Sequence, residues 1–206
     1  SILLLQEDGL IDIDQPVTDF LDASVLHGIK NADKATVRQL LQHASGIFNY
    51  IQDPKFQTAS MNDLVKEWHP DELLDYARGK EPYFSPGADV RYSNTNYILL
   101  GMIIEKITGK PFYRFFEERI FVPQGLNFTR FAATDPVPDG IIRGYVDFYS
   151  NLNLTNSTYF SGWDYYTADG GLISNSYDLN RFMTRLLSGQ VLKDSSLREM
   201  LNCYLD

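Results

Sequence analysis

The sequence predicts an α+β protein that is mostly helical and forms a single domain over residues 1–206. Apolar residues recur at helical spacing through most of the chain, and several of these runs follow a capping residue or end at a glycine. Residues 125–170 are instead rich in Asn, Thr, Tyr and Phe and show little helical period, which predicts loops and short strands. A helical lobe joined to an irregular region is therefore expected, with enough chain to bury one core.

The composition is that of a globular protein, and its charge argues against two classes of partner. Hydrophobic residues make up 44% of the chain and aromatic residues 14%, which is unlike a disordered sequence. The net charge is −9, so neither nucleic acid nor an anionic membrane surface is an expected partner. No apolar run reaches the roughly 18 residues of a membrane-spanning helix, so no transmembrane segment is predicted in this stretch.

Three helices are predicted between residues 36 and 79. Thr36 and Gln39 have capping-box spacing before "VRQLLQHASG", a helix that Ser45-Gly46 is expected to end. Two shorter amphipathic helices are predicted over "ASMNDLVKEW" and over "PDELLDYARG".

The strongest helix is predicted over "TNYILLGMIIEKITG", which ends at Gly109. Its apolar positions are so dense that it must be almost entirely buried. The turn-rich segment "PYFSPGADVRYSN" comes directly before it. Pro111 is expected to open the next helix, and Pro123 to end it.

Two helices are predicted near the end of the chain. The segment "GGLISNSYDLNRFMTRLLSG" returns to a helical period, with Ser174 or Ser176 as its expected cap. A last helix is predicted over "SSLREML".

The sequence contains few residues in patterns typical of metal, disulfide or nucleotide sites. The histidines His27, His43 and His69 have no second His or Cys at ligand spacing, so neither a metal site nor a cofactor is predicted. The single cysteine, Cys203, excludes an internal disulfide. The chain also has no phosphate loop, no dinucleotide fingerprint and no G-x-S-x-G elbow.

The triplet Tyr92-Ser93-Asn94 stands directly before the strongest predicted helix. Tyr-x-Asn is common by chance, and Asn94 or Thr95 could simply cap that helix. A phenol and an amide two residues apart could instead serve as a general base and a substrate-binding group. The triplet alone leaves both interpretations open.

With its surroundings, the triplet resembles a motif of the serine beta-lactamase and penicillin-binding protein family, which includes class C beta-lactamases, D-Ala-D-Ala carboxypeptidases and esterases. In that family a Pro-Gly turn leads to Tyr-x-Asn and then to a buried helix that ends in Thr-Gly. Here these elements are Pro86-Gly87, Tyr92-Ser93-Asn94 and Thr108-Gly109.

Four further segments resemble the family in the same order, so that nearly all of residues 1–190 is covered. They are "LLLQEDGLIDIDQPVTDFL", "TVRQLLQHASGI", "FFEERIFVPQGLNFTRF" and "DGGLISNSYDLNRFM". Gln124 and Asn127 depart from the family's pattern. The resemblance is specific for the family but not for a substrate.

The resemblance implies a beta-lactamase/transpeptidase-like fold of which residues 1–206 are the middle portion, lacking parts of the main sheet at both ends. The family's nucleophile lies in S-x-x-K, but the lysine position counted from Ser1 holds Leu4. The nucleophilic Ser and its Lys are therefore expected before residue 1. The third family motif, Lys-Thr-Gly or His-x-Gly, is expected beyond Asp206, so the segment alone is expected to be inactive.

The resemblance further implies a serine hydrolase that acts on an amide or ester bond through an acyl-enzyme, without a cofactor. Tyr92 would be its general base, since a neighbouring lysine favours the phenolate. Asn94 would hold the lysine and the substrate carbonyl. Gly170 and Gly171 would let the backbone approach the substrate, although a simple turn explains them equally well.

The resemblance also implies a partner that is a small molecule or peptide with an acyl group. It implies a location in the periplasm, at the cell surface or in the surrounding medium. The alternative is a non-catalytic relative that binds peptide or cell-wall fragments.

The aromatic stretch 145–166 leaves three interpretations open. It could form a wall of the substrate cleft, cover the core of the helical lobe, or stack on a sugar. Its aromatic residues are Tyr145, Phe148, Tyr149, Tyr159, Phe160, Trp163, Tyr165 and Tyr166.

Overall fold

The computed structural model describes residues 1–134, 138–160 and 165–202, and it shows ten α-helices and four short strands there. The helices are α1 (Ile2–Glu7), α2 (Ala23–Leu26), α3 (Val37–Leu41), α4 (Pro54–Asn62), α5 (Pro70–Asp75), α6 (Asn94–Thr108), α7 (Phe112–Phe116), α8 (Val122–Gln124), α9 (Ser176–Leu187) and α10 (Asp194–Leu201). The strands are β1 (Arg130–Phe131), β2 (Tyr145–Val146), β3 (Thr155–Asn156) and β4 (Leu172–Ile173). The predicted class, α+β and mostly helical, is confirmed.

The four strands form two small antiparallel pairs. In one pair Arg130 of β1 lies opposite Ile173 of β4, which brings a distant segment back beside α8. In the other pair Tyr145 of β2 lies opposite Asn156 of β3. A π-helical turn over Glu117–Phe121 connects α7 directly to α8.

Helix α6 lies at the centre of the core. Its apolar side chains Ile98, Leu99, Leu100, Ile103 and Ile104 are all at most 3% exposed. Helices α3, α5 and α7 each pack against it. One cluster of buried apolar side chains extends from α1 through α6 to the residues after α9; the assignment of residues 1–206 to one domain stays a prediction.

Three predicted helices in the first half have wrong boundaries, and one of them, over "PDELLDYARG", ends early, at Asp75. Helix α3 begins with the predicted capping box of Thr36 and Gln39, but it ends at Leu41 because His43 adopts a left-handed backbone conformation, with φ 56°. The helix predicted over residues 59–68 is displaced, because the Asp53 carboxylate accepts the first backbone N–H groups of α4 and so starts that helix at Pro54.

Three boundaries in the second half also differ from the prediction. Pro123 does not end its helix, because the helical stretch continues to Gln124 and ends where Gly125 adopts a left-handed conformation, with φ 63°. The cap of α9 is Asn175, whose side chain accepts the Asp178 N–H at 2.8 Å, and neither Ser174 nor Ser176 takes this role. Helix α10 begins at Asp194, before the predicted segment.

The aromatic stretch 145–166 divides into two parts. Tyr145, Tyr149 and Tyr159 are more than half exposed and belong to the region of the β2–β3 pair. Tyr165 packs against the buried Trp68, so this part of the stretch covers the core of the helical lobe. Trp163 lies outside the described residues.

Among the described residues, no helix is both long and apolar enough to cross a bilayer.

Helix α6 packs closely on the segment before β4, and Gly101 makes this possible. A Cβ built on Gly101 would lie 2.7 Å from the Cβ of Ala168. We expect Gly101→Ala to destabilise the protein by about 1–3 kcal/mol through overpacking, although alanine is the better helix former. Urea denaturation measures the change.

The double variant Gly101→Ala/Ala168→Gly is the matched control, since it removes the methyl group of Ala168 that the introduced side chain would strike. It should recover most of the lost stability. If Gly101→Ala alone is as stable as the wild type, Ala168 does not pack on α6 at this distance.

Candidate active site

Tyr92 lies in an extended stretch just before α6, with its side chain 60% exposed. This exposed position at the N-terminal edge of the helix is the one expected from the sequence. Its hydroxyl donates a hydrogen bond to Asn94 Oδ1 at 3.2 Å. The phenol and the amide are thus brought together at the protein surface, although their catalytic roles remain a prediction.

Asn94 is held by a second asparagine that the sequence did not single out. Both the backbone N–H and the side-chain Nδ2 of Asn94 donate to Asn49 Oδ1, each at 3.2 Å. Asn49 is only 5% exposed, and its own N–H donates to Tyr83 Oη at 3.1 Å. The Asn94 amide is therefore oriented with its oxygen toward Tyr92 and its nitrogen toward Asn49.

The next two residues of α6 anchor the helix to the same loop. Thr95 Oγ1 donates to the Phe48 carbonyl at 2.8 Å and accepts the Tyr50 N–H at 3.1 Å. Asn96 Oδ1 accepts from Ser45 Oγ at 2.7 Å. Because these side chains are fully buried, their hydrogen bonds specify one arrangement of the loop against the helix.

His43 lies against the Tyr92 turn from the other side. Its ring centroid is 4.3 Å from that of Tyr92 and 5.1 Å from that of Tyr97. Its Nδ1 accepts the Ser93 N–H at 3.2 Å and lies 3.3 Å from Asn96 Nδ2. Since both neighbours are donors, Nδ1 carries the lone pair and the proton of the neutral ring is on Nε2.

Burial lowers the pKa of His43 and so favours this neutral form. The sequence placed His43 only near a helix end. The sequence signal for a role of His43 in the site was its position within "HASG". Its contacts with residues 91–96 join segments about fifty residues apart in the chain, so a local pattern does not predict them.

Ser93 is fully buried, and its Oγ has no hydrogen-bond partner among the described residues. It is the residue before α6, but its side chain does not cap the helix. Its backbone N–H donates to His43 Nδ1, and its carbonyl accepts the Asn96 N–H at 3.2 Å.

Gly170 and Gly171 lie at the turn that leads into β4. A Cβ on Gly170 would meet no atom within 4 Å among the described residues. Gly171 has φ 86°, which favours glycine, and its carbonyl accepts the Ala132 N–H at 2.7 Å just before β4. Their predicted role in substrate binding stays a prediction.

A partly buried carboxyl group connects this glycine turn to the loop beneath α6. Asp169, the residue before Gly170, accepts from Tyr50 Oη at 2.8 Å and from Thr167 Oγ1 at 2.6 Å. Burial raises the pKa of Asp169 and, together with the Asp169 charge, also raises that of Tyr50. Sequence reasoning missed this pair because its members are more than a hundred residues apart.

The family of this chain follows from a comparison with family models. The model described as Beta-lactamase matches residues 2–202. The chain therefore belongs to the beta-lactamase family, as the motif around Tyr92 predicted.

Two curated relatives illustrate the likeness. Penicillin-binding protein 4* of Bacillus subtilis (strain 168) is 31% identical over 205 residues, with 95% of this chain and 44% of the relative covered. A putative D-alanyl-D-alanine carboxypeptidase of Escherichia coli (strain K12) is 28% identical over 181 residues, with 78% of this chain and 40% of the relative covered. The chain thus spans less than half the length of these relatives.

Solved structures confirm the predicted beta-lactamase/transpeptidase-like fold. A D-stereospecific amidohydrolase from Streptomyces sp. is 37% identical with a TM-score of 0.88, over 96% of this chain and 60% of that one. A D-amino acid amidase from Ochrobactrum anthropi SV3, complexed with D-phenylalanine, is 28% identical with a TM-score of 0.78, over 96% and 56%.

The support of Asn94 can be tested without reference to activity. We expect Asn49→Ala to cost about 1–3 kcal/mol of folding free energy, because two Asn94 donors lose their acceptor. Asn49→Asp should cost less, since it keeps an oxygen acceptor and places a negative charge at a helix N-terminus. Chemical denaturation compares them; an equal loss in both variants would show that the acceptor has no effect.

Proposed function

We propose that this chain is part of a serine hydrolase of the beta-lactamase and penicillin-binding protein type. The enzyme forms an acyl-enzyme intermediate at a Ser-Lys-Tyr site, with Tyr92 as general base and Asn94 as a substrate-binding residue. The observation that carries the proposal is the exposed Tyr92 hydroxyl, which is bonded to an Asn94 amide that buried contacts hold in place.

The chemistry requires a base because a serine hydroxyl is a weak nucleophile until its proton is removed. A lysine beside Tyr92 would favour the phenolate, which takes the serine proton during acylation and later helps to activate water. Asn94 Nδ2 has one hydrogen bonded to Asn49 and a second with which to donate to the substrate carbonyl.

The nucleophilic Ser and Lys are proposed to precede residue 1, and the third motif to follow Asp206. Backbone N–H groups at the serine and on the strand of that motif would form the oxyanion hole. Gly170 and Gly171 would border the substrate on the side of Asp169.

The substrate class is an acyl compound with an amide or ester bond, either a small molecule or a peptide. The similar proteins are named as a D-stereospecific amidohydrolase, a D-amino acid amidase and a putative D-alanyl-D-alanine carboxypeptidase. These names support a D-amino acid at the acyl side of the bond. Two relatives, a penicillin-binding protein and a putative D-alanyl-D-alanine carboxypeptidase, support a location at the cell envelope or outside the cell.

The 206-residue chain by itself is expected to form no acyl adduct, because it contains neither S-x-x-K nor the third motif. Intact-mass spectrometry after incubation with a fluorescent penicillin or a p-nitrophenyl ester tests this, with circular dichroism to establish folding. A stoichiometric adduct on any serine of the chain would place the nucleophile within it.

Substitution of Tyr92 and Asn94 in the complete protein tests their roles. Tyr92→Phe keeps the ring, so substrate binding should change little while acylation slows by roughly 10²–10⁴, the usual effect of a positioned base. Asn94→Ala should impair both binding and turnover. Single-turnover acylation separates the two effects.

Tyr177→Phe is the matched control, because Tyr177 is 83% exposed on α9. It should acylate like the wild type. If Tyr92→Phe stays folded and acylates within about threefold of that control, lysine alone is the base. If the complete protein binds a penicillin but never forms an adduct, the non-catalytic alternative replaces the enzyme.

A further inference from the structure

We propose that His43 is a positioning residue for Tyr92, and that its neutral imidazole is needed to hold the phenol where it acts. The inference rests on the proposed function of Tyr92 as the base. It adds a residue that makes no contact with the reacting atoms but controls acylation at acidic pH.

His43 contacts each of the three consecutive residues around the phenol. Its carbonyl accepts the Arg91 N–H at 2.9 Å. Its ring packs on the Tyr92 ring at 4.3 Å between centroids, and its Nδ1 accepts the Ser93 N–H at 3.2 Å. One residue therefore holds the Val90–Arg91 peptide unit, the Tyr92 ring and the Tyr92–Ser93 peptide unit.

The backbone of His43 supports the same interpretation. Its left-handed conformation, with φ 56°, is unfavourable for a residue that carries a Cβ. A glycine would fit this conformation more easily, but it would offer neither the ring nor the acceptor. The side chain is thus present at an energetic cost that its contacts with Tyr92 and Ser93 offset.

A proton on Nδ1 would break the contact with Ser93. The imidazolium would face two donors, the Ser93 N–H and the Asn96 amide, with an N–H of its own. The titratable side chains packed on the ring are Tyr92 and Tyr97. Protonation therefore removes the bond to Ser93 and releases the turn.

Charged side chains nearby are engaged elsewhere. The Arg91 guanidinium lies over the Tyr83 ring at 3.7 Å. Arg38, on the helix that precedes His43, is paired with Asp14 and Glu199. Burial is therefore what lowers the pKa of His43.

The direction of the pH effect follows from this lowered pKa. The neutral ring is fully present above the ordinary value of about 6.5, and its stabilising effect declines as the pH falls from there through the folded-state pKa. Acylation should therefore have an acidic limb that coincides with the titration of His43.

The test compares two substitutions in the complete protein. His43→Asn tolerates the left-handed backbone and keeps an oxygen acceptor for the Ser93 N–H, whereas His43→Phe keeps a ring and loses the acceptor. His69→Asn is the control, because His69 also stacks on a tyrosine, Tyr166, at 4.9 Å. Acylation by a p-nitrophenyl ester is measured from pH 5 to 8, with melting temperatures and NMR titration of the imidazoles.

We expect NMR to show His43 as the Nε2–H tautomer, titrating below about 6.5. At pH 7 His43→Phe should acylate roughly 10- to 100-fold more slowly than His69→Asn, the scale of a misplaced catalytic group. His43→Asn should recover part of this loss and lack the acidic limb that follows His43.

Two results overturn the inference and are distinguishable. If both His43 variants match His69→Asn at every pH while Tyr92→Phe is slow, His43 has no positioning role and the proposed function stands. If Tyr92→Phe itself acylates like the wild type, the proposed function fails and the inference with it. If one His43 variant melts below the assay temperature, the folded variant is compared with His69→Asn by itself, and a match at every pH overturns the inference.

Discussion

The buried hydrogen bonds between the loop at 43–50 and the first turn of α6 are the constraint on which the rest of the site depends. Thr95 and Asn96 bond to this loop through fully buried side chains, and the half-buried Asn94 bonds to the buried Asn49. A buried polar group that loses its partner costs roughly 1–3 kcal/mol, so the loop cannot shift without several such losses. The orientation of Tyr92 is set by this arrangement.

The loop itself is fixed by contacts that only particular residues allow. A Cβ on Gly46 would lie 2.1 Å from the Phe84 carbonyl oxygen, so a side chain there would force the two segments apart. Asn31 Nδ2 donates to the carbonyls of Ser45 and Phe84, at 2.9 and 2.7 Å, and so connects the same two segments. Apolar burial along α6 stabilises the lobe, with roughly 1.5–3 kcal/mol for each fully buried large side chain, while the polar contacts give it one geometry.

The sequence predicted what depends on local pattern. The dense apolar run of α6, the capping box at Thr36 and the exposed Tyr92 before the helix are all readable from neighbouring residues. The end of α3 and the start of α4 were wrong, because a left-handed histidine and an aspartate cap override the periodicity there. Asn49, His43 and Asp169 were missed as site residues, since their partners lie 45 to 119 residues away in the chain.

The most direct test of the proposed site is a crystal structure of the complete protein acylated by a penicillin or a slow ester. We expect the Tyr92 hydroxyl to lie within about 3 Å of the acylated serine oxygen, with Asn94 still bonded to Asn49 and the His43 ring against the phenol. A structure in which Tyr92 points to solvent several ångströms from that oxygen, with lysine alone beside it, would contradict the role of Tyr92 as the base.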